Sequence, residues 1–389
     1  MQRQRLIFIL LLLYLYLPFV SNNFNSVDDL KLINSLLNIS HINYFHLFFP
    51  DHAPYYYRPI TYLSFWLDQR LHLCSAYFMH LENVVIHLFN VILALIIAKK
   101  LFPKAPLWIV YLTAFIFASH PINTEAVDWI SARTDLLAGF FSLLGFAFLI
   151  KKKIPYITIS ATSFLAGLLC KESAIGFILF AFIFVFFFYK EEFSLKQKLF
   201  FTFVFILALA CYFFMRYPEL RFWNIKEKAI IPNIIPKGKA TAPISVTYTI
   251  GVFFKVIGFY FKKLFIPWPL NFAITKINKT FYLFFGIFVL LLIAYSLVKE
   301  KNGVSMSLTW SLCFMLVAVI VALKRLAWTP LAERYVYISS FGMVLFVGYT
   351  MLKVNKLDSL RLKKAVFSAI GIYASVFVIS TAYRNYIWK

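Results

Sequence analysis

Charge is scarce in this chain. Only 16 Asp and Glu stand against 39 Lys and Arg in 389 residues, and charged residues make up 14% of the whole. A soluble domain is about a quarter charged, so too little charge remains here to cover a water-facing surface. That excludes a cytosolic globule. A disordered chain is excluded as well, because 62% of the residues are apolar and 20% aromatic. Cysteine is nearly absent: Cys170, Cys211 and Cys313 lie in or at apolar runs, leaving Cys74 as the loop thiol. No disulfide framework or thiolate metal site follows. There is no tandem repeat and no separate soluble domain. No acid falls in the middle of an apolar run, which argues against a proton-coupled carrier. The formal net charge of +23 invites a nucleic-acid reading, but basic residues interleaved with long apolar runs set membrane topology instead. The composition predicts a polytopic membrane protein and no nucleic-acid partner.

What is abundant is apolar sequence in runs of roughly 17–20 residues, long enough to cross the hydrocarbon. Eleven such spans are expected, at 6–22, 79–98, 106–119, 134–150, 154–170, 173–189, 199–215, 281–298, 305–323, 336–352 and 365–382. The first lacks a small-residue cleavage site and reads as an uncleaved anchor. Lysines and arginines recur on alternate short connections: Lys99, Lys100 and Lys104; Lys151 to Lys153; Lys190, Lys196 and Lys198; Lys299 and Lys301; and Lys353 to Lys364. By the positive-inside rule these connections and the N-terminus are cytoplasmic, and the C-terminus is outside. Two outer connections are long, about 23–78 and 216–280. The apolar stretch 246–266 within the second is interrupted by Lys255, Lys262 and Lys263, and reads as an interfacial or re-entrant helix with snorkelling lysines. The expectation is therefore one all-α membrane domain over 1–389.

Acids sort unevenly on this topology. Glu191, Glu192, Glu300 and Asp358 fall inside, and the other twelve of the sixteen fall outside or at outer ends of spans. Charge at a membrane boundary is expensive unless paired or solvated, so mixed charge at one end of a bundle suggests an outward-facing polar site. Its first element is the pair Asp28-Asp29, where one carboxylate can serve as general base and the other can hold an acceptor or cation. Helix capping before Leu30 is the competing reading. Arg58 follows Tyr55-Tyr56-Tyr57, either an interfacial aromatic belt or a phosphate-binding arginine beside a sugar or lipid platform. Between 119 and 135 stand His120, Glu125, Asp128, Arg133 and Asp135. These suit either an internal ion-pair network or a metal; a divalent metal stays open, though the spacing matches no standard zinc or calcium pattern. Lys171-Glu172 and Lys324-Arg325 with Glu333-Arg334-Tyr335 would join the same rim. Basic groups there suit an anionic phosphate and its leaving charge. Asn38-Ile39-Ser40 and Asn278-Lys279-Thr280 are formal N-glycosylation triplets on the outer side.

In order, Val27-Asp28-Asp29 with Asn34, Tyr57-Arg58-Pro59-Ile60-Thr61, Asn83 with His87, and His120-Pro121 with Glu125, Trp129 and Arg133-Thr134-Asp135 form a recognisable series. Lys171-Glu172, Pro267-Trp268-Pro269-Leu270-Asn271 and Ala332-Glu333-Arg334-Tyr335-Val336-Tyr337 continue it. The set resembles the membrane part of the transmembrane and tetratricopeptide-repeat O-mannosyltransferases and their bacterial relatives, over nearly the whole chain. The resemblance implies a GT-C glycosyltransferase fold and transfer of mannose or a similar hexose from a polyprenyl-phosphate carrier. A protein or glycan hydroxyl would be the acceptor, at the outer or lumenal face. It implies a catalytic Asp in the first outer loop, Asp28 first and Asp29 second. Donor or substrate binding would fall among Arg58, His120, Glu125, Arg133, Asp135, Lys171, Glu172, Glu333, Arg334 and Tyr335. Members of that family usually continue into a repeat array where this chain ends, after Tyr383-Arg384-Asn385; a natural short form and a truncated one are both expected alternatives. The alternative to an enzyme is a carrier, flippase or scaffold for lipid-linked sugars.

Overall fold

The computed structural model describes residues 8–9, 11–12, 15–16, 23–24, 28–37, 42–50, 56–234, 246–272, 274, 277, 279–299, 302–324 and 329–387; of 36–37, 218–234 and 246–247 it describes the backbone alone. Asn38, Asn278 and Arg325 lie outside the described residues, as does most of the expected first span.

Apolar runs become helices because a backbone without water must satisfy its own hydrogen bonds. Among the described residues there is no strand, only an isolated antiparallel bridge between Ile274 and Leu331. Seven helices are long and apolar enough to cross a membrane: Ala76–Leu101, Ile130–Leu149, Leu195–Tyr217, Phe281–Lys299, Gly303–Lys324, Glu333–Asn355 and Leu360–Ile387. An eighth is added if Leu107–Ala118 and Pro121–Asp128, bent by 41° at their break, count as one. Two further apolar helices, Ile154–Cys170 and Glu172–Phe188, are shorter. At 1.5 Å per residue a 17-residue helix such as Ile154–Cys170 rises about 25 Å, less than the usual hydrocarbon thickness. The expected number of eleven is therefore not established, although every expected span after the first coincides with helix.

The bend has a local cause. Proline disfavours helical backbone in the residue before it, and the helix ending at Ala118 gives way at His120-Pro121 to a short 3-10 turn. The chain then re-enters helix at Thr124–Asp128, which places Glu125 and Asp128 against the bundle. The lysine-bearing stretch becomes a 20-residue helix, Val246–Phe265, packed chiefly along Phe281–Lys299. Those two helices touch backbone to backbone. A Cβ on Gly286 would lie 2.0 Å from the Phe254 carbonyl oxygen, and one on Gly258 would lie 2.1 Å from that of Tyr282. Only glycine fits such a crossing. Lys263 of this helix does not snorkel outward; its side chain is 2% exposed and turns into the bundle.

A buried polar chain crosses the interior. Tyr16 Oη lies 2.8 Å from His87 Nε2, His87 Nδ1 lies 2.7 Å from Tyr337 Oη, and Asn90 donates to Tyr337 Oη at 2.9 Å. These bonds tie the Ala76–Leu101 helix to the Tyr337–Asn355 helix. Charged side chains gather elsewhere, at helix ends: Arg133 opens its helix, Lys171 and Glu172 join two, and Glu333-Arg334 precede Tyr337.

Candidate active site

The two adjacent aspartates have separate surroundings. Asp29 opens the helix Asp29–Leu37 and is fully buried; its Oδ1 accepts from the Ser131 backbone N–H at 3.1 Å and from Ser131 Oγ at 2.7 Å. This links the helix Asp29–Leu37 to the turn that leads into Arg133. Asp28 is half-buried, and among the described residues its carboxylate has no partner. One aspartate anchors the loop and the other is available.

Arg133 is 1% exposed and paired with two carboxylates. Its Nη1 lies 2.6 Å from Asp68, its Nη2 2.7 Å from Glu82, and its Nε donates to Asn83 Oδ1 at 3.2 Å. The guanidinium also lies 4.2 Å over the Phe65 ring. Charge neutralised in this way makes Arg133 a tie between the helices Pro59–Arg70, Ala76–Leu101 and Arg133–Leu149. Neither Asp68 nor Glu82 stands out in the sequence as its partner.

A second buried group surrounds Glu333, which is 0% exposed. One carboxylate oxygen accepts from Lys263 Nζ at 2.6 Å and from the Asn271 N–H at 2.8 Å; the other meets Arg384 Nη1 at 2.5 Å. Glu125, also 0% exposed, caps the backbone N–H groups of Glu333 and Arg334 at 2.9 and 3.1 Å and pairs with the Arg334 guanidinium. The Arg334 guanidinium carbon lies over two aromatic rings, 4.4 Å from the centre of Trp129 and 4.9 Å from that of Tyr335. Buried charges persist when paired and hydrogen-bonded, and each of these is. Asp128 differs: it is 2% exposed, and neither carboxylate oxygen has a hydrogen-bond partner among the described residues.

The third group is more open. Lys171 Nζ lies 2.5 Å from Asp135 Oδ2 and 5.4 Å from the centre of the Tyr335 ring, so Tyr335 joins this group to Arg334. Burial pulls the Lys171 ammonium down to about 8, with Arg58 and Arg334 adding to the effect and Asp135 opposing it. Arg58 Nη2 lies 3.2 Å from Glu172, and Arg216 Nη1 lies 3.7 Å from the other oxygen of the same carboxylate. Their side chains are 21%, 33% and 21% exposed for Arg58, Glu172 and Arg216.

The structure thus brings Arg58, Asp135, Lys171, Glu172, Arg334 and Tyr335 together through shared contacts, with Glu125 and Glu333 behind Arg334. It sets His120 apart as a packing residue. Its Nε2 lies 2.8 Å from the Leu264 carbonyl, Nδ1 accepts from the Ile122 N–H at 3.2 Å, and its ring rests on Phe377. Among the described residues no three His, Cys, Asp or Glu side chains converge as a metal site. Sequence reasoning missed Arg216, which lies just beyond the expected end of a span, and took Lys263 for a snorkelling lysine.

No family model matches the chain. Curated relatives do. Over 126 residues, 31% of this chain and 13% of the relative, it is 35% identical to the mouse protein O-mannosyl-transferase TMTC3. Over 174 residues, 41% of this chain and 18% of the relative, it is 31% identical to Tmtc2 of Drosophila melanogaster. The chain therefore matches less than a fifth of the length of these relatives. Among solved structures, ArnT from Cupriavidus metallidurans, bound to undecaprenyl phosphate, superposes with a TM-score of 0.50 at 10% identity, covering 95% of this chain and 63% of that one. The chain has a GT-C glycosyltransferase fold and resembles, in sequence, the protein O-mannosyl-transferases.

Proposed function

We propose that this protein is a membrane glycosyltransferase, moving mannose or a similar hexose from a polyprenyl-phosphate carrier to a hydroxyl on a protein or glycan. The reading is carried by a partly open basic cluster at Arg58 and Lys171, and is supported by a half-buried carboxylate, Asp28, beside the Asp29 that bonds Ser131. Asp28 accepts the proton of the acceptor hydroxyl as its oxygen attacks the anomeric carbon. The bond from that carbon to the carrier phosphate breaks, and the electron pair leaves with the phosphate. Arg58 and Lys171 neutralise the charge that develops there. A single displacement inverts the anomeric centre. Arg133, Glu125 and Glu333 act through position, holding the helix ends that carry the reacting groups. The relatives named for O-mannosyl transfer and a structural neighbour holding undecaprenyl phosphate support the choice of donor. The site then faces the periplasm or the lumen, with the N-terminus in the cytoplasm.

The test is sugar transfer from a polyprenyl-phosphate hexose by the purified chain in lipid nanodiscs. Asp28→Asn should lower turnover by about 10²–10⁴ while leaving the melting temperature unchanged. Asp29→Asn should lower the melting temperature, since it weakens a buried carboxylate's bonds to Ser131. Full activity in Asp28→Asn sinks the mechanism. Lipid translocation without sugar release would instead indicate a carrier.

A further inference from the structure

The end of the bundle opposite the charged rim carries a lysine patch that the proposed transfer does not use. Arg133–Leu149 and Glu172–Phe188 run away from the rim, while Ile154–Cys170 and the helix beginning at Leu195 return to it. The turns 150–153 and 189–194 therefore meet at the far end, and they are stapled together. Lys152 pairs with Glu192, its carbonyl accepts from Gln197 Nε2, and its ammonium lies 4.1 Å from the centre of the Tyr189 ring. Lys198 donates to the Lys190 carbonyl at 2.6 Å, and Lys100, from the end of a third helix, donates to the Ala147 carbonyl at 2.9 Å. Lys152 also holds a φ of 56°, a left-handed backbone that few residues other than glycine adopt. Membrane insertion counts the lysines on a connection and needs no fixed arrangement of them. Here the arrangement is fixed.

What the staple presents is Lys151, Lys153, Lys190 and Lys196, all exposed. The Lys151 ammonium is steadied over two stacked rings, 4.7 Å from the centre of Phe148 and 4.0 Å from that of Tyr156. Over 150–153 and 189–198, where every side chain is described, six lysines stand against two acids, Glu191 and Glu192. The patch borders directly on apolar surface. Leu195, Leu199 and Phe203 follow at four-residue spacing on one helix face and are 73%, 64% and 63% exposed. Lys196 and Lys198 interleave with them, so the lysines crown an apolar strip that rises about 12 Å into the membrane. A soluble anion leaves that strip bare, as does an acidic peptide, and a zwitterionic lipid leaves the lysines without a net counter-charge. An anionic phospholipid matches both parts.

We propose that these two turns bind an anionic phospholipid of the adjoining leaflet, its phosphate held by Lys153, Lys190 and Lys196 and an acyl chain laid along Leu195, Leu199 and Phe203. Ammonium groups take a phosphate as compact point charges, and lysines at a membrane surface draw anionic lipid toward them. The staple through Lys152, Glu192 and Gln197 holds the two turns at a fixed separation, so the presenting lysines surrender less freedom when the lipid arrives. The site is independent of the transferase reading, lies at the other end of the bundle and takes no part in the reaction.

The experiment titrates phosphatidylglycerol into the full chain in neutral detergent and counts bound lipid by native mass spectrometry. Phosphatidylcholine, glycerol 3-phosphate and a polyglutamate peptide are the other probes. Phosphatidylglycerol should bind roughly tenfold or more tightly than phosphatidylcholine, and both soluble anions should compete only at far higher concentration. Lys153→Gln combined with Lys196→Gln should weaken phosphatidylglycerol roughly tenfold or more. Lys356→Gln combined with Lys364→Gln removes the same charge from the turn before Leu360–Ile387 and should leave binding unchanged. Glu191→Lys adds charge to the patch without touching the staple and should tighten binding. Wild-type affinity in the first double variant, an equal loss in the second, equal binding of phosphatidylcholine, or equal competition by either soluble anion overturns the proposal. If the first double variant does not fold, unchanged affinity in Glu191→Lys overturns it instead.

Discussion

The deep and the shallow halves of the charged rim are built from the same residue types and differ in what their charges lack. Around Arg133 and Glu333 every charge meets its opposite within 2.5–2.7 Å, and the exposures of Arg133, Asp68, Lys263, Arg384 and Glu333 run from 0% to 7%, with Glu82 higher at 30%. At Arg58, Glu172 and Arg216 the separations are 3.2 and 3.7 Å and the exposures 21–33%. The deep half is locked and holds helix ends together; the shallow half is partly open. Burial with close pairing marks scaffold, and partial exposure with longer separations marks a place for a ligand.

That contrast breaks most readily at Glu333. Glu333→Gln leaves Lys263 and Arg384 buried without their shared counter-charge, and removing one partner of a buried pair costs about 3–5 kcal/mol. Thermal unfolding in detergent should show a large fall in stability. A small one would mean that the deep group is wetter than its geometry implies. A lesser effect is expected at the shallow end. Arg58→Ala should change stability by no more than about 1 kcal/mol, the range for partly exposed pairs, while reducing sugar transfer. If Arg58→Ala destabilises as much as Glu333→Gln, the division between scaffold and site is wrong.

The apolar runs revealed the helices because hydrocarbon demands internally bonded backbone, a rule that local composition records well. They were weaker on which helices cross, since Ile154–Cys170 and Glu172–Phe188 are near the limiting length. The charged motifs could be found but not ranked. Arg133 and Arg58 look alike in a sequence, yet the partners that silence Arg133 are distant: Asp68 stands 65 positions away. The Arg334–Glu125 pair spans 209 positions. No local spacing reports pairings of that kind. Arg216 was hidden for a different reason. Hydropathy ends the span at 215, whereas the helix continues to Ile234 and carries the arginine with it. Lys263 illustrates the reverse error: a lysine in an apolar helix reads as snorkelling until Glu333, 70 positions on, gives it a partner inside.

Lys171 stands between the two halves and offers the finest division of them. Burial, with help from Arg58 and Arg334, lowers its ammonium from 10.5 to about 8 despite Asp135. The charged form is thus disfavoured by folding, so its penalty on stability is fully present below about 8. Between about 8 and 10.5 the unfolded chain binds more protons than the folded one at this group, and its contribution to stability therefore rises with pH. Transfer should move the other way, falling as pH climbs through about 8, because the leaving phosphate loses a positive neighbour. Lys171→Arg keeps a charge that does not titrate in this range, so a variant that remains active should lose the alkaline fall. The check is transfer rate and melting temperature measured from pH 6.5 to 9.5 on both proteins. An alkaline fall of equal size in Lys171→Arg would assign the titration to another group and place Lys171 with the scaffold.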